Sequence, residues 1–307
     1  MIPYGSTRIN ADPPHGDFLY FGTRIHPPAG DTGHGARDRG AANRVCSTLV
    51  MTAGLEVERE GSVVWCRLDR PPLNLLEPRA IRALRVTFEA LARDPSVRVA
   101  VLAGAGRAFT AGMDVRLLRG LDVPRAKRLI TALHRAIEAV HHAPFPVIAA
   151  VHGPCLGAGL ELALACDLRV AAGDARLGLP EVRVGVPSVI EAALLPILIG
   201  PGRAAEMLFT GEPVSAAQAL EWGLVNRVVA ADGLRDAVQE LVAKILAGGP
   251  AAIRLQKELV IAWRSADLRT AVGYGINAFA AAYATGEPRE GAAAFLEKRP
   301  PSFEGAP

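Results

Sequence analysis

Glu161 follows a turn of small residues, Gly157-Ala158-Gly159, and Leu179-Pro180-Glu181 brings a second carboxylate further along the chain. Two carboxylates in one site suit general acid–base work, in which one group takes a proton and another gives it. The turn adds a second capability. Small residues allow close approach to the backbone, and a helix start offers unpaired N–H groups at the positive end of its dipole. Such a place can hold an oxygen that becomes an anion during reaction. A second turn of the same kind runs from Gly104 to Asp114. Its core, Ala108-Phe109-Thr110-Ala111-Gly112-Met113-Asp114, also carries exposed backbone N–H groups.

The elements that must position these groups are legible around them. Val147–Val151 is an apolar, β-branched run that reads as a buried strand, broken at Gly153-Pro154. Helix formers from Leu160 to Ala165 then carry Glu161 in the first turn. Val99–Leu102 is a short buried strand leading into the other turn. Further upstream, Leu55–Arg59 and Val63–Leu68 flank Glu60-Gly61-Ser62 as a hairpin. A helix with Pro78 near its start shows Ile81, Leu84, Phe88 and Leu91 at helical spacing. Another helix opens at Asp122 to Pro124, with Leu129, Leu133, Ile137 and Val140 as its apolar stripe. His141 and His142 fall at its carboxy end, where imidazole complements the dipole; these two and His134 are read as non-catalytic, and His152 as structural. Downstream, a helix from Ser215 ends near Trp222-Gly223, a strand covers Val225–Val229, and the tail from Pro250 to Pro307 reads as helices interrupted at Gly286-Glu287-Pro288.

The bulk numbers narrow the function classes. Of 307 residues half are hydrophobic, enough for a sizeable core, and the net charge is only +3. Lysines and arginines are dispersed, which argues against a nucleic-acid or anionic-membrane partner. No apolar run approaches the ~20 residues of a membrane span, and no basic-then-apolar leader opens the chain. Cys46, Cys66, Cys155 and Cys166 show no zinc or C-x-x-C spacing, so no metal is expected. The apolar contexts of Cys66, Cys155 and Cys166 fit a reducing, cytoplasmic location. Residues 1–50, rich in Gly, Pro, Asp and Arg and without period, are expected to be a disordered extension. The core is expected over 51–247 and a helical region over 248–307.

Taken together, the string Val147–Glu181, the segment Phe109–Asp114 and the ending Ala292-Ala293-Ala294-Phe295-Leu296-Glu297-Lys298-Arg299-Pro300-Pro301 resemble the enoyl-CoA hydratase/isomerase (crotonase) superfamily, over roughly Leu55 to Glu304. Met51 with the residues after it looks like the usual start of a family member, so the upstream segment can reflect start-codon choice. The resemblance implies an α/β crotonase-like spiral of repeated ββα units with a C-terminal helical trimerisation region, and trimers or hexamers. It implies an acyl-CoA thioester substrate, with coenzyme A present as part of that substrate and no separate cofactor. The backbone N–H groups of Met113 and Ala158 would hold the thioester oxygen. Glu161 would orient and activate water, and Glu181 would shuttle the α-proton. Coenzyme A contacts would fall at Pro72, Leu73, Thr110, Asp114 and Val115, with Phe295 near the adenine and Lys298 near the phosphates. Asp114 also reads simply as a helix cap, and Lys298 as a solvated helix-end charge.

Retention of both glutamates favours an enoyl-CoA hydratase, a hydro-lyase of fatty acid metabolism. The alternatives are a Δ3,Δ2-enoyl-CoA isomerase, another enolate-forming member such as a hydrolase, or a silent acyl-CoA- or RNA-binding homologue. One departure stands out. Where many members carry a run of the type Gly-x-x-Pro-Gly-x-Gly-Gly, this chain keeps Gly185 and Pro187 but lacks the later glycines. In the family that segment lines the distal end of the acyl pocket. Here Ser188-x-x-Glu191 is expected to form a capping box that opens a helix.

Overall fold

The computed structural model describes residues 48–303. The expected extension therefore lies, up to residue 47, outside the described residues. Its last three residues are a correction: Thr48–Val50 belong to strand β1 (Thr48–Thr52), which pairs antiparallel with β2 (Leu55–Glu60). β2 forms the expected hairpin with β3 (Val63–Leu68).

From β3 onward the sheet is parallel. β4 (Val99–Gly104), β5 (Val147–Val151), β7 (Leu168–Ala172) and β10 (Arg227–Val229) follow in order across it, and β6 (Pro154–Leu156) lies outside it. Parallel neighbours need crossovers, and helices supply them. α1 (Pro78–Leu91) connects β3 to β4; a short α2 (Val115–Leu118) and the long α3 (Val123–His141) connect β4 to β5; α4 (Ala158–Ala165) lies between β5 and β7. A second, three-stranded sheet pairs β6 with β8 (Arg176–Gly178) and β8 with β9 (Val214–Ser215).

The period-2 alternation of the strands divides the core in two. Val64, Cys66, Ala100, Leu102, Val147, Ala149 and Val151 point to one face, where they meet Ile81, Leu84 and Phe88 of α1 and Leu133, Ile137 and Val140 of α3. Val63, Trp65, Val99, Val101, Ile148 and Val170 point to the other. After α5 (Leu195–Ile199), α6 (Pro201–Thr210) and α7 (Ala216–Glu221), the chain covers that second face with α8 (Leu234–Leu246), through Ala237, Val238 and Val242. The sheet is thus buried on both sides, which is why its strands read as continuous apolar runs.

The tail forms α9 (Pro250–Trp263), α10 (Leu268–Ala282) and α11 (Glu287–Leu296). Glu287 accepts hydrogen bonds from Ala251 N and Ala252 N at the start of α9, at 2.7 and 2.9 Å, which ties the last helix back to the first of the three. α10 buries none of its residues. Among the described residues no helix is long and apolar enough to cross a membrane.

Candidate active site

The two small-residue turns lie side by side because backbone hydrogen bonds join them. Thr110 and Cys155 form an isolated parallel bridge. Thr110 N donates to Pro154 O at 3.2 Å, and Leu156 N donates to Thr110 O at 3.1 Å. The approach is close enough to require glycine. A Cβ on Gly112 would fall 2.6 Å from Leu156 O and 3.1 Å from Ala158 N, and one on Gly159 would fall 2.4 Å from Thr110 O. Gly112 (φ 84°) and Gly157 (φ 56°) also take left-handed backbone conformations that other residues avoid. The result brings Met113 and Ala158, each with its backbone N–H, into the lining of one cavity. Among the described residues neither donates to a protein acceptor.

The loop after β3 braces this arrangement. Asn74 is buried, and its Nδ2 donates to Ala105 O at 2.8 Å and to Ala108 O at 2.7 Å. Ala111 N donates to Leu73 O, and Leu76 N to Gly112 O. A buried amide making several backbone bonds holds its loop in one conformation, and no local pattern reveals such partners.

The cavity is about 700 Å³ and largely apolar. Met113, Ala158, Glu161 and Glu181 all line it, together with Leu118, Leu121, Val123, Leu129 and Ile130 from α2, α3 and the loop between them, and Val186 to Val189 from the opposite wall. Glu181 sits on a 3₁₀ turn, Pro180–Val184. Its Oε1 would be only 2.8 Å from a Cβ on Gly157, so the bare glycine admits the carboxylate to the turn. Ser188 Oγ donates to Glu181 Oε2 at 2.8 Å.

Glu161 is buried in the first turn of α4. Its Oε1 accepts from Ile190 N at 3.0 Å and Ala192 N at 3.1 Å. Burial pushes its carboxyl up to about 7; the two amide donors oppose that, and the neighbouring Glu181 and Glu191 carboxylates add to it. A carboxyl near neutrality is suited to proton transfer at physiological pH.

These contacts correct the capping-box expectation. The short 3₁₀ turn Glu191–Leu194 has Ile190 as its N-cap, with no side-chain cap. Ser188 serves Glu181, and the exposed N–H groups of the turn are taken by Glu161 from another element. Glu191 instead approaches α3, where its Oε1 lies 2.8 Å from His134 Nδ1.

The residues expected at coenzyme A do not line this cavity. Thr110 is fully buried and its hydroxyl accepts from Gly112 N at 3.1 Å, so it shapes the turn and offers no surface to a ligand. Asp114 caps α2 by accepting from Arg116 N at 2.9 Å, and its carboxylate also holds the Arg116 guanidinium, which keeps its carboxyl below the usual range. Pro72 and Val115 are exposed and Leu73 is half-buried near the braced turn. Phe295 and Lys298 are exposed at the end of α11. His152 keeps a structural contact, Nε2 to Gly106 O at 3.0 Å, and among the described residues no cluster of side chains fits a metal ion.

Comparison with known proteins shows the family and the fold. A family model described as enoyl-CoA hydratase/isomerase matches residues 58–306. The chain is 35% identical over 253 residues to a crotonyl-CoA hydratase of Syntrophomonas wolfei, covering 80% of this chain and 96% of that one. It is 32% identical to a short-chain-enoyl-CoA hydratase of Clostridium acetobutylicum, over 79% of this chain and 94% of the relative. Among solved structures, an enoyl-CoA hydratase from Bacillus anthracis superposes with a TM-score of 0.79 at 36% identity, covering 82% of this chain and 99% of that one. DspI of Pseudomonas aeruginosa gives 0.80 at 35% identity, over 84% and 99%. The chain belongs to the enoyl-CoA hydratase/isomerase family, and its fold is the crotonase fold.

Proposed function

We propose that this protein is an enoyl-CoA hydratase, which adds water across the double bond of a 2-enoyl-CoA thioester. The observation that carries the reading is the convergence of Glu161 and Glu181 on one cavity beside the unpaired N–H groups of Met113 and Ala158. Placed there, the thioester oxygen receives two preorganised donors as negative charge develops on it. Each such donor is typically worth ~10²–10³ in rate. Backbone donors tolerate side-chain variation, so alanine at position 158 serves as well as glycine.

Hydration then requires a base for the water and an acid for the α-carbon. Glu161, fixed by Ile190 N–H and Ala192 N–H, orients water through its remaining carboxylate oxygen and takes its proton as the C–O bond forms. Glu181, steadied by Ser188, delivers a proton to the α-carbon as the enolate collapses. The apolar walls from α2 and α3 accommodate the acyl chain and exclude other water. Coenzyme A enters as part of the substrate. Pro72, Leu73, Val115, Phe295 and Lys298 remain candidates for contact with its pantetheine and nucleotide.

The protein also self-associates in this reading, as a trimer or a pair of trimers. What supports this is the apolar face of the tail: Leu268 is 81% exposed, Ile276 65% and Phe279 69%, more contiguous apolar surface than a monomer ordinarily leaves in water. Cys66, Cys155 and Cys166 are buried free thiols, which supports a reducing, cytoplasmic setting. The experiment is a turnover screen over short, long, branched and aromatic 2-enoyl-CoA thioesters, following loss of the conjugated absorbance. Hydration of at least one class is expected; isomerisation of 3-enoyl thioesters with no hydration of any 2-enoyl substrate would overturn the reading.

A further inference from the structure

Glu191 is a buried carboxylate that the mechanism above does not use. One of its oxygens, Oε2, has no hydrogen-bond partner. The other, Oε1, lies 2.8 Å from His134 Nδ1, and the Nδ1-protonated tautomer donates to it. Burial raises the Glu191 carboxyl, His134 opposes that, and Glu138, whose Oε1 is 4.0 Å from His134 Nε2, adds a second negative charge on α3. No lysine or arginine pairs with Glu191 among the described residues. An apolar side chain would fill the position at less cost to stability, since an unpaired buried oxygen is unfavourable. The residue is therefore poorly explained by stability alone.

Its neighbours in the chain supply an explanation. Ile190 N and Ala192 N, on either side of Glu191, are the two donors that hold Glu161 Oε1. The turn that carries them has no side-chain cap of its own. The described contacts of the Glu191 side chain tie this turn to α3, the helix that also lines the cavity. We propose that His134 and Glu191 are a positioning pair, which clamps the 191–194 turn to α3 and thereby fixes the two amide donors that aim the Glu161 carboxylate into the cavity. Neither residue lines the cavity or touches the reacting atoms. The inference rests on reading Glu161 as the water-orienting carboxylate.

The test uses the full chain with Glu191→Ala, Glu191→Gln and His134→Ala, alone and with Glu161→Gln. Two readouts are needed: steady-state hydration of crotonyl-CoA, and the amide proton shifts of Ile190 and Ala192 in the substrate-free protein. Melting temperatures check that each variant folds. Glu191→Ala and His134→Ala should lower kcat by roughly tenfold or more, as misplacement of a catalytic group does, with KM changed less than about twofold. Both amide protons should move upfield, toward their positions in Glu161→Gln. Glu191→Gln keeps an acceptor for His134 and should recover most of the loss. In the Glu161→Gln background the Glu191→Ala change should cost nothing further. A folded Glu191→Ala variant with unchanged amide shifts, or with the same loss of kcat in the Glu161→Gln background, would overturn the proposal. The amide shifts report on the clamp whether or not crotonyl-CoA is hydrated, so failure of the clamp and failure of the hydratase reading give different results.

Discussion

Glu161 shows at the residue scale how the site trades stability for chemistry. Its carboxyl has no cation partner among the described residues, and burial raises it from 4.5 to about 7. The folded protein therefore holds this proton more tightly than the unfolded chain. Below pH 4.5 both states are protonated and the full stability is present. As pH rises from 4.5 to 7 the unfolded chain releases this proton while the folded protein keeps it, and about 3 kcal/mol of stability is lost by the time the buried acid ionises. Glu161→Gln removes that ionisation while keeping shape and the acceptor for the two amides. Thermal melts should show the variant more stable than the parent at pH 8 and equal to it at pH 4. An equal difference at both values would mean the ionisation is not the cause. The same group predicts an acid limb near pH 7 in kcat/KM of the parent, because the base must be deprotonated. Gly157 offers a second residue-scale test. Gly157→Ala places a Cβ 2.8 Å from Glu181 Oε1 at a φ of 56°, so kcat should fall by ~10²-fold or more, while calorimetry shows coenzyme A still bound.

At the element scale the sheet margin is wider than expected. β2 has β1 as its outer partner, in the register Thr48↔Arg59, Leu49↔Glu58 and Val50↔Val57. A chain starting at Met51 lacks those three pairs, whereas one starting at Cys46 keeps them. The shorter protein should melt several degrees lower; equal melting would show that β1 adds nothing to the domain. The main strands and α1 and α3 were legible in the sequence because each repeats its apolar residues with one period over a long run, as Ile81, Leu84 and Phe88 do. The three-stranded sheet was not, because Pro154–Leu156, Arg176–Gly178 and Val214–Ser215 are too short to show alternation. The segment from Ser188 to Glu191 misled for a physical reason. Its spacing fits a local cap, but Glu161 competes for the same amides from across the cavity, and a tertiary carboxylate leaves no mark on local spacing. The roles expected of Glu161, Glu181 and the two small-residue turns were legible only through the family resemblance, because a strand-to-helix turn of small residues by itself also serves close backbone packing. The brace from Asn74 and the link from Ser188 to Glu181 depend on partners distant in the chain.

At the scale of the whole molecule the cavity and the tail make separate demands. Leu268, Ile276 and Phe279 leave α10 with an apolar face toward water, which the proposed assembly covers. If the parent assembles as proposed, Ile276→Lys together with Phe279→Asp should give a monomer by light scattering, with the secondary structure retained; an unchanged mass would remove the tail from the interface. The catalytic account stands apart from that result, since Met113, Ala158, Glu161 and Glu181 all belong to one chain and one cavity. Its central claim is that Glu161 and Glu181 divide one reaction between water and α-carbon. The most direct measurement follows a 2-enoyl-CoA substrate and its saturated analogue in heavy water, reading hydration and α-proton exchange together for the parent, Glu161→Gln and Glu181→Gln. The account predicts that Glu161→Gln cuts hydration strongly, to a residual rate that can still be measured, but retains exchange, that Glu181→Gln loses most of both, and that the double variant is little worse than the weaker single one. Full hydration by Glu181→Gln would contradict it.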